Sequence, residues 1–373
     1  MSVCAAESLA PGTEESAWMD AFRRKAVRNR VPVSGMLELT RRCNLRCVHC
    51  YQQGERNVHL PTETALRLVR EAADCGTLFL TLTGGEPLLH PDFPHIYRAC
   101  REAGLVVGVF TNGTLIAQKH IELFQRWPPR LVELSIYGAG AETHDRITGV
   151  PGSFAQTLAA VRRLREAGVS VGLKTVILQV NLGEVRGMQR LASELGVPFR
   201  VDPLLFGNHA GGGQRALALR AAPEAAVRCE LDDHSRAAQW RDYARRWSAW
   251  SDDRRLFRCG AAITGFFIGA DAVLAPCALA LNHSVPLNGV HFREAWERLR
   301  EVPAMEAPAD YPCARCELRA WCSSCPALAW MEKGNELVPV EYACEIARWR
   351  ARLLGGESRA EARPDLHAVP MPG

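Results

Sequence analysis

The sequence predicts an α/β fold, a partial barrel of six parallel strands with helices outside, followed by a small cysteine-rich region. Three observations predict it. Short apolar strands alternate with amphipathic helical segments from Gly35 to about Asp202, the pattern of a parallel sheet covered by helices. Several of those helices stop at a glycine, as helix C-termini commonly do. Beyond Arg258 the composition shifts to short elements rich in cysteine.

The elements follow in order. Strands are expected at Met36–Thr40, Leu78–Thr83, Leu105–Phe110, Leu131–Ile136, Val169–Leu178 and Pro198–Val201. Helices are expected at Thr62–Asp74, Phe93–Ala103, Ile116–Arg126, Phe154–Ala167 and Leu182–Leu195, with stops at Gly76, Gly104, Gly168 and Gly196. In such folds the chemistry sits where the strands end. Residues 1–34 read as an N-terminal extension, 35–205 as the barrel, and 206–255 as a linker and helical segment. Residues 256–352 form the cysteine-rich region, and 353–373 read as a disordered tail. Within the third part, Gly207–Gly213 is a glycine-rich linker, and Pro223 to Trp250 reads as a surface helix.

Composition excludes several function classes. The chain has 373 residues, 47% of them hydrophobic and 23% charged, an ordinary globular balance. A net charge of +4 is too small to argue for nucleic acid. The basic group Arg23, Arg24, Lys25, Arg28 and Arg30 reads as a solvated helix face. No stretch reaches the roughly 18 apolar residues of a membrane span, and the polar start lacks the features of a secretory signal. A cytoplasmic protein is expected. Disulfides are disfavoured there, so clustered cysteines among the fourteen present read as metal ligands.

The most informative cluster is Cys43, Cys47 and Cys50, spaced C-x3-C-x2-C directly after the first strand. Three neighbouring thiolates can hold three irons of a cubane cluster and leave the fourth open. Structural zinc sites usually have four ligands and no open position. Thr83-Gly84-Gly85-Glu86-Pro87 ends the second strand. Its glycines allow close backbone approach, and its carboxylate can accept bonds from an ammonium group.

Together these segments resemble the radical S-adenosylmethionine (SAM) superfamily over about residues 35–205. The resemblance implies a partial (β/α)6, TIM-like barrel and a [4Fe–4S] cluster on Cys43, Cys47 and Cys50. It also implies SAM chelated at the open iron and cleaved reductively to a hydrogen-abstracting 5′-deoxyadenosyl radical. By the same resemblance Gly84, Gly85, Glu86 and Pro87 bind the SAM amino group. Asn112, in Thr111-Asn112-Gly113-Thr114, and Ser135, in Ser135-Ile136-Tyr137-Gly138, approach its ribose and methionine parts. His49 fills the aromatic slot near the adenine. Relatives often place an arginine three residues after the aspartate of Thr143-His144-Asp145, to pair with the SAM carboxylate. This chain has Thr148 there, which leaves Arg146, with a surface role as its alternative, or Lys174 for that anion, or Lys174 for the substrate.

Seven further cysteines follow, with a dense core Cys313-x2-Cys316-x5-Cys322-x2-Cys325. Alone, that core fits a zinc ribbon or a second iron–sulfur site. Beside the barrel motifs it resembles a SPASM domain, whose opening hairpin looks like Phe266–Asp271 leading to Pro276-Cys277. Two departures are an x2 in the last core spacing and Ala272 where a hairpin glycine is expected. The resemblance implies two auxiliary [4Fe–4S] clusters, making three in all. One is held by Cys313, Cys316, Cys322 and Cys344; the nearer one is held by Cys259, Cys277 and Cys325. The fourth position of the nearer cluster is open or closed by another group, Cys229 being the nearest spare thiol in sequence. Cys75 and Cys100 read as buried apolar residues, and Cys4 lies in the loose N-terminus.

The resemblance puts forward modification of a ribosomally made precursor peptide, by crosslinking, epimerisation or related C–H chemistry. Its alternative is a small molecule in tetrapyrrole or other cofactor synthesis. A zinc-based interaction module is the remaining class. An external electron donor such as flavodoxin or ferredoxin is implied. Only about 35 residues precede the first strand, so leader recognition would need a separate protein or a barrel-edge strand. Arg200 and Asp202 could face the cavity by strand alternation or form an ordinary salt bridge.

Overall fold

Alternation along several of the expected strands puts apolar side chains on one face and polar ones on the other, and the sheet is built on that division. The computed structural model describes residues 14–52, 57–207, 214–248 and 254–355. Cys4, most of the glycine-rich linker and the tail after Gly355 lie outside them.

The chain opens with α1 (Glu14–Arg28) and then runs β1 (Ser34–Glu38), α2 (Thr62–Asp74), β2 (Phe79–Thr83) and α3 (Phe93–Glu102). It continues with β3 (Val106–Thr111), α4 (Gln118–Arg126), β4 (Leu131–Ser135), α5 (Ala141–Thr148) and α6 (Ser153–Glu166). β5 (Val171–Val176), α7 (Val185–Glu194) and β6 (Phe199–Asp202) complete the barrel. Each expected strand is present within two residues at either end. Gly76, Gly104, Gly168 and Gly196 all have positive φ beyond their helices.

Strands β6-β5-β4-β3-β2-β1 lie side by side in that order, every pair parallel. Leu37, Leu80, Leu82, Val107, Val109, Val132, Leu134 and Leu173 face the helices in one core with Leu68, Phe93, Tyr97, Phe124 and Val161. Burying each such side chain contributes about 1.5–3 kcal/mol before entropy is counted. The opposite face carries Glu38, Thr83, Phe110, Glu133, Ser135, Lys174 and Arg200. A polar inner face is what a ligand-holding barrel requires.

After the barrel come α8 (Gln214–Leu217), α9 (Pro223–Leu231) and α10 (His234–Ser248), so the expected surface helix is two helices. The expected hairpin is β7 (Gly265–Ile268) and β8 (Val273–Ala275), with Ala272 in its turn at φ +56°. That left-handed conformation explains why a glycine suits the position. β9 (Val285–Pro286), α11 (Phe292–Arg298), α12 (Glu301–Ala304), α13 (Pro326–Lys333) and α14 (Glu341–Leu354) follow. The cysteine-rich region does not simply follow the barrel. β7 pairs parallel with β1, extending the sheet to nine strands.

Arg23, Arg24, Lys25 and Arg28 are exposed, as a solvated face should be. Arg30 is the exception. Its guanidinium lies 4.6 Å from the Trp296 ring centroid and donates to the Ala262 carbonyl at 2.8 Å. Cys100 is buried in the core and Cys75 packs against it. No helix among the described residues is long and apolar enough to cross a membrane.

Candidate active site

The first cysteine loop leaves β1 at the carboxyl end of the strands, and backbone contacts fix it there. Gly85 N–H donates to Thr40 O and Glu86 N–H to Arg42 O, each at 2.8 Å. A Cβ on Gly84 would stand 2.5 Å from the Thr40 carbonyl oxygen. One on Gly85 would stand 2.7 Å from that of Arg41 and closer still to that of Arg42. The two glycines are therefore needed first for close approach to the cysteine loop itself. We expect Gly85→Ala to cost about 1–3 kcal/mol through overpacking and to depress iron loading at the first site. Thermal unfolding and iron analysis check this; wild-type values in both would contradict it.

Glu86, expected from the resemblance to meet the SAM amino group, is already engaged within the protein. It is fully buried. Its carboxylate accepts from Thr111 Oγ1 and Asn112 N–H at 2.8 Å each, and from Leu88 N–H at 3.1 Å. Burial pushes its carboxyl up to about 7, against those three donors. Glu86 is a staple between the loops after β2 and β3. Pro87 is buried and opens the short turn of 3₁₀ helix behind it.

Asn112 Nδ2 donates to Asn44 Oδ1 at 2.9 Å and lies 3.9 Å from Cys43 Sγ. Its Oδ1 accepts from the Thr114 hydroxyl at 2.7 Å, and that hydroxyl accepts from Asn44 Nδ2 at 2.7 Å. The loop after β3 thus holds the cysteine loop in place. Burial raises the Cys43 thiol to about 11. The thiols of Cys47, Cys50 and Cys43 all lie within electrostatic reach of the Tyr137 hydroxyl, which burial above all pushes up and which hydrogen-bonds Ser135.

His49 packs edge-on against Tyr137, centroids 4.5 Å apart. Its Nδ1 is buried without a hydrogen-bond partner, and burial lowers the imidazole to about 4. A neutral ring with a spare nitrogen beside three thiols suits a ligand's polar edge. Tyr137 was not singled out from sequence, although the segment holding it was. Glu38 was missed too. It ends β1, buried, and accepts from Ala270 N–H at 3.0 Å and Arg41 Nε at 3.3 Å, as well as from Gln52. Arg41 also reaches Asp271 at 2.6 Å. This knot seats the β7–β8 turn on the cysteine loop. A charged residue in a buried apolar strand was the available signal.

Arg146 does not join the site. α5 buries Thr143, His144, Ile147 and Thr148, and helical periodicity turns the intervening Arg146 outward, where it is exposed. Thr148, in the position where relatives have arginine, is buried and shares a 2.7 Å hydrogen bond with Ser153. Asp145 accepts from the N–H groups of Gly152 and Phe154 at the start of α6. Lys174 lies on the inner face of the sheet. It pairs with Ser135 across β4 and β5, lies 3.3 Å from Glu133 Oε2, and covers the Phe110 ring. Burial lowers its ammonium to about 8, with Glu133 opposing.

The remaining cysteines form two groups. Cys344 is influenced by the thiols of Cys322, Cys313 and Cys316; Cys325 is influenced by those of Cys277 and Cys259. Burial raises Cys344 and Cys325 to about 12 and Cys277 to about 11. Tyr311 stands between the groups, hydrogen-bonded to Cys313 and within reach of Cys325. Cys229 stands apart on α9, in a surface groove with Leu182, Arg186 and Asp232. Among the described residues no three ligand side chains converge on one ion-sized site. A cubane held at its corners accepts thiols set farther apart than the four ligands of one zinc ion.

The profile of the radical SAM superfamily matches residues 37–192. The chain is also 30% identical over 341 residues to the AdoMet-dependent heme synthase of Methanosarcina barkeri, covering 82% of this chain and 94% of that protein. The chain belongs to the radical SAM superfamily. It is an enzyme of the SPASM-containing lineage, and SAM with iron–sulfur chemistry comes with the family. A second radical SAM relative, the PqqA peptide cyclase of Methylorubrum extorquens, is 36% identical over 168 residues, 44% of each chain. In fold, the crystal structure of Streptococcus suis SuiB bound to precursor peptide SuiA matches with a TM-score of 0.64 at 16% identity. That match covers 92% of this radical SAM chain and 84% of that one, including the cysteine-rich region.

Proposed function

We propose that this radical SAM enzyme acts on a tetrapyrrole, an iron porphyrin bearing propionate arms, in a step of heme-type synthesis. One observation carries the reading. Likeness to the heme synthase runs through 94% of that protein, whereas likeness to peptide cyclases spans 44% of one and 68% of another. A shared barrel alone does not give the substrate, so likeness that extends beyond the barrel weighs more. The small-molecule alternative is thus better supported than peptide modification, which the 36% identity to a peptide cyclase keeps as the second reading.

The residues fit the family's cofactors. Cys43, Cys47 and Cys50 would hold the first cluster, leaving one iron for SAM, which supplies a hydrogen-abstracting radical. The chain's own part is positioning. Asn112, Asn44 and Thr114 fix the cysteine loop, Glu86 fixes the loops behind it, and His49 with Tyr137 walls the thiols. Cys313, Cys316, Cys322 and Cys344 would fill one auxiliary cluster. Cys259, Cys277 and Cys325 would hold another with one position not closed by cysteine, since Cys229 lies elsewhere.

The test is anaerobic incubation of the reconstituted enzyme with SAM, a flavodoxin or chemical reductant, and a four-propionate iron porphyrin. Loss of carbon dioxide and two hydrogens from an arm, read by mass spectrometry, reports its conversion to a vinyl group. An unchanged porphyrin beside a precursor peptide that changes mass or takes up solvent deuterium would overturn the reading.

A further inference from the structure

The inner face of the barrel carries a cluster of four charges on three neighbouring strands. Glu133 on β4, Lys174 on β5, and Arg200 and Asp202 on β6 lie on one face by alternation. Arg200 grips Glu133 with both arms of its fork, Nε to Oε1 at 3.0 Å and Nη2 to Oε2 at 2.9 Å. Its Nη1 reaches Asp202 Oδ2 at 3.3 Å. Lys174 Nζ meets the same Glu133 from the other side at 3.3 Å, above the Phe110 ring. Lys174 and Arg200 are cross-strand neighbours in one row with Ser135, whose partner Tyr137 faces the first three thiols.

A cluster that only filled the barrel would be buried throughout. This one is graded. The Glu133 side chain is 8% exposed and that of Arg200 is 42% exposed. The carboxylate lies beneath, the guanidinium it holds is the open end of the cluster, and Lys174, 20% exposed, is the more enclosed cation beside it. Such an arrangement stabilises two cations where water is scarce and leaves their outer donors for another anion.

We propose that Lys174 and Arg200 form the binding site for a carboxylate of the substrate, with Glu133 as the positioning residue that holds both. This rests on the tetrapyrrole reading, where the carboxylate is a propionate arm. SAM also carries a carboxylate, so the experiment separates the two sources.

A four-propionate porphyrin and its tetramethyl ester are titrated into the reconstituted enzyme, following the porphyrin absorbance band. Wild type, Lys174→Gln, Arg200→Gln and Lys174→Arg are compared, and SAM binding is measured in parallel by equilibrium dialysis. Loss of a charge-assisted contact should weaken binding of the acid about tenfold or more in each Gln variant. Lys174→Arg should keep most of the affinity, the ester should bind weakly to all, and SAM binding should be unchanged. Acid binding at wild-type strength in both Gln variants overturns the site while leaving the tetrapyrrole reading intact. Lost SAM binding with intact porphyrin affinity in Lys174→Gln assigns the lysine to the cofactor and overturns the proposal. A folded wild type that binds no porphyrin overturns the function reading and this site with it.

Discussion

Replacing Cys43, Cys47 and Cys50 together with alanine is expected to abolish SAM cleavage and to lower bound iron from about twelve to about eight atoms per chain. The reasoning separates chemistry from folding. All three cysteines are half-buried, and each change removes only one sulfur. The loop keeps its main anchors, which are backbone bonds from Gly85 and Glu86 and the Asn44–Thr114 pair. The barrel should therefore stay folded, with a small change in unfolding temperature. The two distant groups, on Cys259, Cys277 and Cys325 and on Cys313, Cys316, Cys322 and Cys344, should keep their iron and sulfide. Formation of 5′-deoxyadenosine by the triple variant would refute the assignment. Stoichiometric zinc with negligible sulfide in the wild-type protein would refute the cluster chemistry as a whole.

Much of the fold was legible because each barrel element carries its own local signal. β2 reads Phe-Leu-Thr-Leu-Thr, with Leu80 and Leu82 toward the helices and Thr81 and Thr83 inward, and α2 starts and ends at the expected residues. The pairing of β7 with β1 was not legible. It joins residues more than two hundred positions apart, and no local preference encodes which sheet edge a late hairpin will take. α5 was missed because eight residues, Ala-Glu-Thr-His-Asp-Arg-Ile-Thr, show too little periodicity to stand out. Had it been seen, the same periodicity would have turned Arg146 away from the site.

Site residues divide along a similar line. The cysteine triplet and the dense run from Cys313 to Cys325 stand out by spacing, whereas the assignment of Cys259, Cys277 and Cys344 to ligand groups came from the resemblance alone. Roles that depend on what lies opposite were hidden. Glu86 reads as a free carboxylate until the Asn112 amide and Thr111 hydroxyl are placed on it. Lys174 and Arg200 read as separate charges until β5 and β6 are set in register over Glu133. A residue's type was visible in sequence; its partner depended on tertiary pairing.

The second large effect is expected at a buried ion pair that joins the cysteine-rich region to the helical segment before it. Arg350 on α14 and Glu230 on α9 are 1% and 0% exposed and bond at 2.8 and 3.1 Å. Arg350 also donates to Ser323 Oγ at 2.9 Å and Trp321 O at 3.2 Å, and lies over the Trp240 ring. It therefore ties two helices to the loop that carries Cys322. Arg350→Ala removes one partner of a buried pair and strands the other, at a cost of about 3–5 kcal/mol. Trp240 Nε1, 2.9 Å from Glu230, and Arg236 Nε, 3.5 Å from it, offset only part of that. Iron at the Cys313, Cys316, Cys322 and Cys344 group should fall with it. Replacing both partners, Arg350→Met with Glu230→Leu, removes the stranded charge and should recover most of the stability. It cannot restore the bonds to Ser323 and Trp321, so the iron deficit should persist in the double variant. Recovery of stability and iron together would show that the pair acts through folding alone. Recovery of stability without iron would show that Arg350 holds the cysteine loop in the shape a cluster needs.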